Sequence, residues 1–365
     1  MSFSVMHVEF GRNLYGGAKQ VTYLLNALGS ISQINSYLVC PENSEIAKLA
    51  FPRCEIHPIH YRGEMDISAL QKLTDVANRT KPDIIHIHSR RGADIWGAIT
   101  AKLTGIPAIC TRRVDNPESS WARYKYRQFN AVVSISQGVA DVVRQHCNNE
   151  QLTPIIHSAV DLSEYAYSAN RSWLNQHFNI PDDHAVIANF AQLIKRKGQA
   201  EIIRAVNEIV KQNKNVTCLL FGKGKLAAEY QQLIDTYALN KHIKLCGFTN
   251  EVARILPCID IVLHPAHAEG LGVILLQAGA CKRAVIASPS GGIPEIIKHN
   301  HTGLMVDAGS STELAQATLG LLANHEHQKQ LGAQLYKHVT DHFSINAMAT
   351  QYLALYQRVS GKYCD

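Results

Sequence analysis

Residues 264–280 read HPAHAEGLGVILLQAGA and directly follow an apolar run, residues 259–263, that predicts a buried strand. The stretch begins with a polar turn that contains two glycines, and its apolar second half has helical character. Unpaired backbone N–H groups and the positive end of a helix dipole meet at a junction of strand, glycine turn and helix, which favours an anion, usually a phosphate. Glu269 lies in the turn itself, where its carboxylate can reach a ligand.

A second turn of this kind, Ser290-Gly291-Gly292-Ile293-Pro294-Glu295, follows between another predicted strand and helix. Each turn by itself is compatible with an ordinary βα loop. Because two consecutive turns each carry a glutamate, we predict a ligand site here.

The whole chain alternates short apolar runs with helix-like stretches. The runs are continuous and rich in β-branched residues, which is typical of parallel strands covered on both faces. The predicted strands are residues 5–10, 37–40, 55–59, 83–88, 108–111, 131–135, 155–157, 185–190, 216–221, 243–245, 259–263, 284–287 and 304–306.

The alternation lapses between about residues 162 and 183 and then resumes. The predicted fold class is therefore α/β, with two Rossmann-like domains at residues 1–165 and 166–342. A C-terminal helix at 343–365 is expected to pack back on the first domain. Open parallel sheets bind ligands outside the carboxyl ends of their strands, so we expect the two sheets to face an interdomain cleft.

The composition indicates the cellular compartment of the protein and argues against a metal site and a nucleic-acid partner. The 365 residues carry a formal net charge of +6, a mild excess that is specific to no class of partner. The nine cysteines are odd in number without C-x-x-C spacing, and neither a signal-peptide pattern nor a membrane-length apolar run occurs, so we expect a cytoplasmic protein with free thiols. No H-E-x-x-H motif occurs among the 18 histidines, and no metal site is expected. The basic residues form short scattered clusters, which argues against nucleic acid.

The sequence KRKG, residues 195–198, follows the predicted strand at 185–190 and opens a helix. Its three cations and the N–H groups of the helix start suit a diphosphate. A solvated loop is the alternative. The similar sequence FGKGK at 221–225 is weaker evidence, because a tight βα turn explains its glycines.

Two arginine pairs of the first domain follow predicted strands and are candidates to hold an anionic acceptor. Ordinary surface charges paired with Asp94 and Asp115 are the alternative. The basic, aromatic segment 123–127, with Trp121 nearby, is instead a candidate to touch a membrane surface. The arginine pairs are Arg90 with Arg91 and Arg112 with Arg113.

Short motifs recur in a definite order along nearly the whole chain. They are the Gly16-Gly17 loop, the strand 83–88, Ser134-Ile135-Ser136, Lys197-Gly198, Gly222-Lys223-Gly224, Gly247-Phe248, Glu269-Gly270-Leu271-Gly272, the second glycine turn 291–295 and Thr302-Gly303-Leu304. Each motif is unspecific alone, but their order and spacing together are specific. This order resembles that of retaining glycosyltransferases of family 4, which have the GT-B fold.

The resemblance implies that the second domain binds a nucleoside-diphosphate sugar. Glu269, as the first residue of the family's E-x7-E motif, would bind the donor sugar, and Lys197 would neutralise the diphosphate. His88 would approach the donor from the first domain, and these three residues are the catalytic candidates. Gly247 and Phe248 would lie near the nucleotide base. The other donor-binding candidates are Gly16, Gly17, Gln192, Gly222, Gly270, Leu271, Gly272, Val273, Gln277 and Glu295.

The implied reaction moves a hexose-type sugar to a glycan or glycolipid acceptor, with retention at the anomeric carbon and without a metal or other cofactor. We expect a UDP-sugar rather than a GDP-sugar as donor, a role in bacterial surface polysaccharide or lipopolysaccharide synthesis, and peripheral association with the inner face of the membrane. The mechanistic hypothesis is front-face transfer, in which the acceptor hydroxyl loses its proton towards the departing phosphate. A non-catalytic nucleotide-binding scaffold and a nucleotide-sugar epimerase of the same fold are the alternatives.

Two positions depart from the family pattern. Gln277 stands where the second Glu of the motif accepts both ribose hydroxyls, and an amide offers only one acceptor oxygen. If nothing compensates, this change weakens donor binding by about 1–3 kcal/mol. Gln192 replaces an arginine five residues before Lys197, which removes a positive charge near the diphosphate.

Overall fold

The computed structural model describes residues 2–90, 92–147 and 153–362, which form two compact units. The first unit takes the residues up to Ala159 together with those from Ile345 onwards. The second unit is Val160–Ser344. The predicted domain boundaries, after residues 165 and 342, lie a few residues from these two crossings.

The first unit contains a sheet of six parallel strands with helices between them. The strands are β1 (Phe3–Val8), β2 (Ile34–Pro41), β3 (Cys54–Ile59), β4 (Ile84–Ile87), β5 (Ala108–Arg112) and β6 (Ala131–Ser134). The helices are α1 (Gly16–Gly29), α2 (Ser68–Thr80), α3 (Ala93–Thr104), α4 (Ala122–Tyr126), α5 (Gln137–Arg144) and the last helix of the chain, α14 (Ile345–Ser360). The spatial order β3-β2-β1-β4-β5-β6 reverses between β1 and β4, at the switch point where open α/β sheets bind ligands.

Helix α14 belongs to the hydrophobic core of the first unit, although it follows the second unit in sequence. Its Met348, Tyr352, Leu355 and Tyr356 are buried in a cluster that includes residues of α1, β1 and β4. The apolar side that the sequence pattern indicates for this helix is therefore its buried side.

The second unit repeats the architecture. Its strands are β7 (Ala185–Phe190), β8 (Val216–Phe221), β9 (Ile243–Gly247), β10 (Ile261–His264), β11 (Ala284–Ala287) and β12 (Leu304–Met305), in the spatial order β12-β11-β10-β7-β8-β9. Its helices are α6 (Arg171–Phe178), α7 (Gln199–Gln212), α8 (Ala227–Thr236), α9 (Val252–Ile255), α10 (Val273–Ala280), α11 (Ile293–Ile296), α12 (Ser311–Ala323) and α13 (His325–His342). In the part of the chain that the structure describes, no helix is long and apolar enough to cross a bilayer.

Two stretches differ from the prediction. Residues 155–157 form no strand, because only an isolated bridge joins Ile155 to Ser134. The lapse at 162–183 contains helix α6, which the hydrophobic pattern did not indicate. The Arg171 guanidinium anchors this helix by donating to the backbone oxygens of Cys258 and His184, each at 2.7 Å. Hydrogen bonds to distant backbone thus stabilise a helix with little apolar periodicity.

The eight cysteines of the described residues are free thiols. Burial raises the pKa of the Cys40 thiol to about 11 and that of the Cys246 thiol to about 12. Both therefore stay protonated and unreactive at neutral pH.

Truncation of a buried side chain tests the place of α14 in the core. Leu355→Ala is expected to lower the free energy of unfolding by about 2–5 kcal/mol, because it removes apolar contacts and leaves a cavity. Gln351→Ala, at an exposed position of the same helix, is the matched control and should change it by less than about 0.5 kcal/mol. Urea unfolding followed by circular dichroism measures both variants, and equal effects would contradict the observed burial.

Candidate active site

The carboxylate of Glu269 is the centre of the site in the second unit. Its Oε2 accepts a hydrogen bond from Lys197 Nζ at 2.6 Å and another from His264 Nε2 at 2.8 Å. Lys197 precedes α7, and His264 is the last residue of β10, so two separate strand ends supply the donors. Since a carboxylate only accepts, His264 carries its proton on Nε2.

This environment keeps Glu269 ionised. Burial by itself would raise the pKa of the carboxyl, but the hydrogen bond and charge of His264, followed by those of Lys197, hold the pKa of Glu269 far below its usual range. The side chain is 16% exposed, so one part of the carboxylate still reaches the surface. Glu269 can therefore accept hydrogen bonds from a ligand at neutral pH but cannot serve as an acid.

Two glycines allow the loops around Glu269 to pack backbone against backbone. Gly291 has φ +52°, and a Cβ there would lie 1.6 Å from the carbonyl oxygen of Glu269. Gly198 has φ +74°, and its Cβ would lie 2.1 Å from the carbonyl oxygen of Pro265. Any larger residue would push the loops apart, so both predicted glycine motifs are steric requirements of this site.

Hydrogen bonds tie the same loops together. The backbone N–H of His267 donates to the carbonyl of Arg196 at 2.8 Å, and the Arg196 guanidinium donates to the carbonyl of Ala268 at 3.2 Å. Ser290 Oγ donates to the carbonyl of Ala266 at 2.7 Å. Arg196 is thus bonded to the Glu269 loop through both its backbone carbonyl and its guanidinium.

The turn after Glu269 leads into α10. The backbone N–H of Gly270 donates to Glu269 Oε1 at 3.1 Å, and Gly272, with φ +90°, precedes the first helical residue, Val273. The predicted segment from Gly270 to Val273 therefore lies at a helix N-terminus beside the carboxylate. Gln277 is half-buried further along the same helix.

The remaining donor-binding candidates of the second unit lie on loops after its strands and in α11. The backbone N–H of Gly222 donates to the carbonyl of Gly247 at 2.8 Å, which joins the ends of β8 and β9. Phe248 is 42% exposed, and Lys223 Nζ lies 5.6 Å from its ring centroid. Gln192 is exposed on the loop after β7, and Glu295 is half-buried in α11.

His88 lies directly after β4 and is buried in the first unit, where its Nε2 is 2.9 Å from Nδ1 of His7 on β1. The parallel register pairs His7 with His86, so the alternation along β4 places all three histidines on one face of the sheet. His7 Nε2 and His88 Nδ1 are buried and have no hydrogen-bond partner among the described residues.

Hydroxyl groups hold the third histidine. His86 Nδ1 lies 2.6 Å from the hydroxyl of Tyr356, and its Nε2 lies 2.7 Å from Oγ1 of Thr111. The hydroxyl of Tyr352 lies 2.9 Å from Thr111 Oγ1 and completes the network. Helix α14 therefore contributes two tyrosines to the surroundings of the predicted catalytic histidine.

The three histidines are neutral at physiological pH. Burial lowers the pKa of His7 to about 3, and burial together with the neighbouring charges holds the pKa values of His86 and His88 well below their usual range. One nitrogen of each ring lies within 4.8 Å of the others, a spacing from which three histidines can bind a metal ion. A metal held by His86 would displace one of its two hydroxyl partners.

The first glycine loop leads into α1, which begins at Gly16. A Cβ on Gly17 would lie 3.3 Å from Cδ of Arg113, so the missing side chain makes room for this arginine. Arg113 Nε is buried and has no hydrogen-bond partner within the described ranges.

Arg112, which the sequence predicts as an acceptor-binding residue, is buried and bonded to other groups of the protein. Its guanidinium pairs with the carboxylate of Glu118 and donates to the carbonyl of Asn116 at 2.7 Å, and the residue is 3% exposed. Arg90 is half-exposed and lies 4.0 Å from Glu118. Arg91 lies outside the described residues.

Comparison with known proteins identifies the family. The solved structure of HepE from Anabaena in complex with UDP and glucose has a TM-score of 0.83 with this chain at 18% identity, and covers 98% of this chain and 100% of its own. Family models described as Glycosyltransferase Family 4 and Glycosyl transferases group 1 match residues 15–164 and 171–338. The chain is a family 4-type glycosyltransferase with the GT-B fold. The family, the enzyme class and the two-domain α/β fold predicted from the sequence are confirmed.

Curated relatives of this glycosyltransferase differ in their donors and acceptors. N-acetyl-alpha-D-glucosaminyl L-malate synthase of Bacillus anthracis is 23% identical over 304 residues, which are 80% of this chain and 79% of the relative. The GDP-mannose-dependent alpha-(1-6)-phosphatidylinositol monomannoside mannosyltransferase of Mycobacterium tuberculosis is 27% identical over 192 residues, half of each chain. The family therefore leaves the substrates of this glycosyltransferase open.

Sequence reasoning missed His264 and His7. His264 is the first residue of the stretch that defines the site and follows a predicted strand, five residues before Glu269. Its place at a strand end could have indicated that it contacts Glu269. For His7 no local signal exists, because its contact with His88 arises from the pairing of β1 with β4.

Acidification is expected to destabilise the first unit of this glycosyltransferase. The pKa of His7 is about 3 in the folded state, against 6.5 for an unperturbed histidine, so the unfolded chain binds the extra proton and stability falls as the pH drops below about 6.5. For His7 alone the loss is about 1.4 kcal/mol per pH unit. Urea unfolding at pH 7.0, 6.0 and 5.0 measures the slope.

His7→Asn should make this slope shallower, because one buried histidine is removed. His60→Asn, at an exposed position, is the control and should leave the slope unchanged. A slope that is the same in His7→Asn as in the wild type would contradict the neutral state of His7.

Proposed function

We propose that this glycosyltransferase moves a hexose-type sugar from a nucleoside-diphosphate sugar to a glycan or glycolipid acceptor, with retention at the anomeric carbon and without a metal ion or other cofactor. The observation that carries the proposal is the contact of Lys197 and His264 with the largely buried carboxylate of Glu269, beside the N-terminus of α10.

Departure of a nucleoside diphosphate builds negative charge on the leaving oxygen. Lys197 Nζ and the first N–H groups of α10 provide positive charge that is already in place, so little reorganisation accompanies the reaction. In the free enzyme Lys197 neutralises Glu269, and a bound diphosphate would share this cation. We therefore assign Lys197 and the segment Gly270–Val273 to the diphosphate.

Glu269 suits the recognition of sugar hydroxyls. Its Oε2 already accepts from Lys197 and His264, whereas Oε1 accepts the longer, 3.1 Å bond from the N–H of Gly270. An ionised carboxylate offers about four lone-pair sites, so Oε1 retains capacity for a hydroxyl donor. His264 and Lys197 would orient the carboxylate for this bond.

The first unit would supply His88 and the acceptor. A neutral imidazole with a buried nitrogen that lacks a partner among the described residues suits one further hydrogen bond, which we assign to the donor sugar. The acceptor hydroxyl would attack on the face from which the diphosphate leaves and pass its proton to the departing phosphate oxygen.

We favour a UDP-sugar as donor and surface polysaccharide or lipopolysaccharide synthesis as the role, in the cytoplasm. The UDP and glucose bound to HepE support the donor, although the mycobacterial relative is named for GDP-mannose. Peripheral membrane association is proposed from Ile99 and Leu103, which are exposed one turn apart on α3, and from the exposed cations Arg123 and Arg127 at α4.

A donor panel tests the proposal. The enzyme is mixed with UDP-, GDP- and ADP-sugars and a crude glycolipid extract, and release of nucleoside diphosphate is measured. Glu269→Gln and Lys197→Met should each lower kcat by about 100-fold or more, since each removes a preorganised contact. Glu208→Gln and Lys211→Met, an exposed pair on α7, are the matched controls and should keep full activity.

If no nucleoside diphosphate is released with any donor, the proposed transfer is contradicted. Unchanged turnover in Glu269→Gln would contradict the role of that residue. Release of UDP together with a free epimerised sugar would favour the epimerase instead.

Gln277→Glu restores the carboxylate of the family pattern and tests ribose recognition. If Gln277 faces the ribose, the variant should lower the donor KM by about 10-fold, within the ~1–3 kcal/mol of a charged hydrogen bond. The gain should vanish with a donor that carries 2′-deoxyribose. An unchanged donor KM would show that this helix position does not contact the ribose.

A further inference from the structure

A cavity of about 700 Å³ lies in the first unit. Arg90, which follows β4, and the segment from Val114 to Ser119, which follows β5, form part of its wall together with the start of α3 and residues of α4. Glu64 from the loop between β3 and α2 also lines it. The cavity thus lies at the carboxyl ends of the strands, where open parallel sheets bind their ligands.

Two aromatic side chains on the wall face solvent. Trp121 is 76% exposed, Tyr124 is 62% exposed, and their ring centroids lie 5.7 Å apart. By contrast, Tyr126 on the same short helix is buried in the core of the unit. Covering two neighbouring exposed rings with an apolar surface removes them from water, so a ligand with an apolar face would bind there favourably.

The charged side chains around the cavity neutralise one another. Glu118 pairs with the buried Arg112 and lies 3.6 Å from Lys125 Nζ and 4.0 Å from Arg90. Lys125 also donates to Asp94 at 2.9 Å. An incoming phosphate would have to compete with carboxylates already paired with these cations, so the wall does not favour an anionic ligand.

We propose that this cavity binds an uncharged, hydroxyl-rich ring, the sugar unit of the acceptor, whose apolar face packs on Trp121 and Tyr124. The assignment rests on the proposed function, because it takes the cavity as the acceptor site. It replaces the anionic group expected from the arginine pairs with a neutral saccharide.

The chemistry of a sugar ring matches this wall. The C–H groups of a pyranose form an apolar face that covers aromatic rings, and its hydroxyls at the rim both donate and accept hydrogen bonds. The exposed side chains of Glu64, Asn116 and Ser119 line the cavity and offer carboxylate, amide and hydroxyl partners.

Binding without turnover provides the first test. The full-length protein is titrated calorimetrically with octyl glycosides of glucose, galactose, mannose and N-acetylglucosamine, below their micellar concentrations, and with glucose 6-phosphate and glycerol 3-phosphate. At least one neutral glycoside should bind, with little dependence on salt, and the phosphorylated compounds should bind more weakly. Preferential binding of the phosphorylated compounds, weakened by added salt, would overturn the proposal.

Variants connect this binding to the cavity. Trp121→Ala and Tyr124→Ala should each weaken glycoside binding by about 10-fold, since each removes one ring of the platform. Tyr167→Ala, at an exposed tyrosine of the second unit, is the matched control and should bind normally. Unchanged glycoside binding in both cavity variants would overturn the proposal. If these two variants lose binding to phosphatidylglycerol vesicles but keep glycoside binding, the proposal is also overturned, because the two rings would then contact a membrane rather than a sugar.

Turnover separates this proposal from the proposed function. With an active donor, Trp121→Ala and Tyr124→Ala should raise the KM for the glycoside acceptor by about 10-fold and leave the donor KM and the acceptor-independent hydrolysis of the donor unchanged. A raised donor KM without any change in the acceptor KM would contradict the acceptor assignment. If the wild type releases no nucleoside diphosphate with any donor and acceptor supplied, the proposed transfer is contradicted, while the calorimetric result still decides whether the cavity binds a sugar.

Discussion

The largely buried carboxylate of Glu269 is the constraint on which the second unit's site depends. Lys197 and His264 both donate to this largely buried charge, which offsets the cost of removing it from water and holds the loop in this conformation. Lys197 and Glu269 are 72 residues apart in sequence. Their contact therefore fixes the loops after β7 and β10 relative to each other and places a cation beside the N-terminus of α10.

This arrangement needs close backbone approach as well as charge. Gly198 and Gly291 let the loops approach to distances that no side chain permits. In the first unit, burial serves a different purpose. His88 is neutral and lies in a network of histidines and of hydroxyls from α14. Elsewhere in this unit, the carboxylate of Glu118 forms an ion pair with the buried Arg112. The candidate site of the second unit is therefore built on ionised groups, whereas the candidate histidine of the first unit is neutral.

Local patterns predicted most of the fold. Continuous apolar runs located strands such as β7, β8 and β11 at their observed bounds, because strands covered on both faces contain little except apolar residues. Helix α6 was missed, since it lacks a continuous apolar stripe and the hydrogen bonds of Arg171 that tie it to the unit join residues that are not neighbours in sequence. The isolated bridge at Ile155 was predicted as a strand, because a short apolar run does not reveal whether a neighbour pairs with it.

The sequence by itself determined the family, the α/β class and the candidacy of Glu269 and Lys197, because these follow from motif order and from the periodicity of neighbouring residues. Only the tertiary structure decided that His264 completes the carboxylate site and that Tyr356 holds His86 from a position 270 residues away. Such contacts depend on which strands pair and on how closely loops and helices pack. No local pattern encodes these distances, since residues far apart in the chain become neighbours only when the backbone folds.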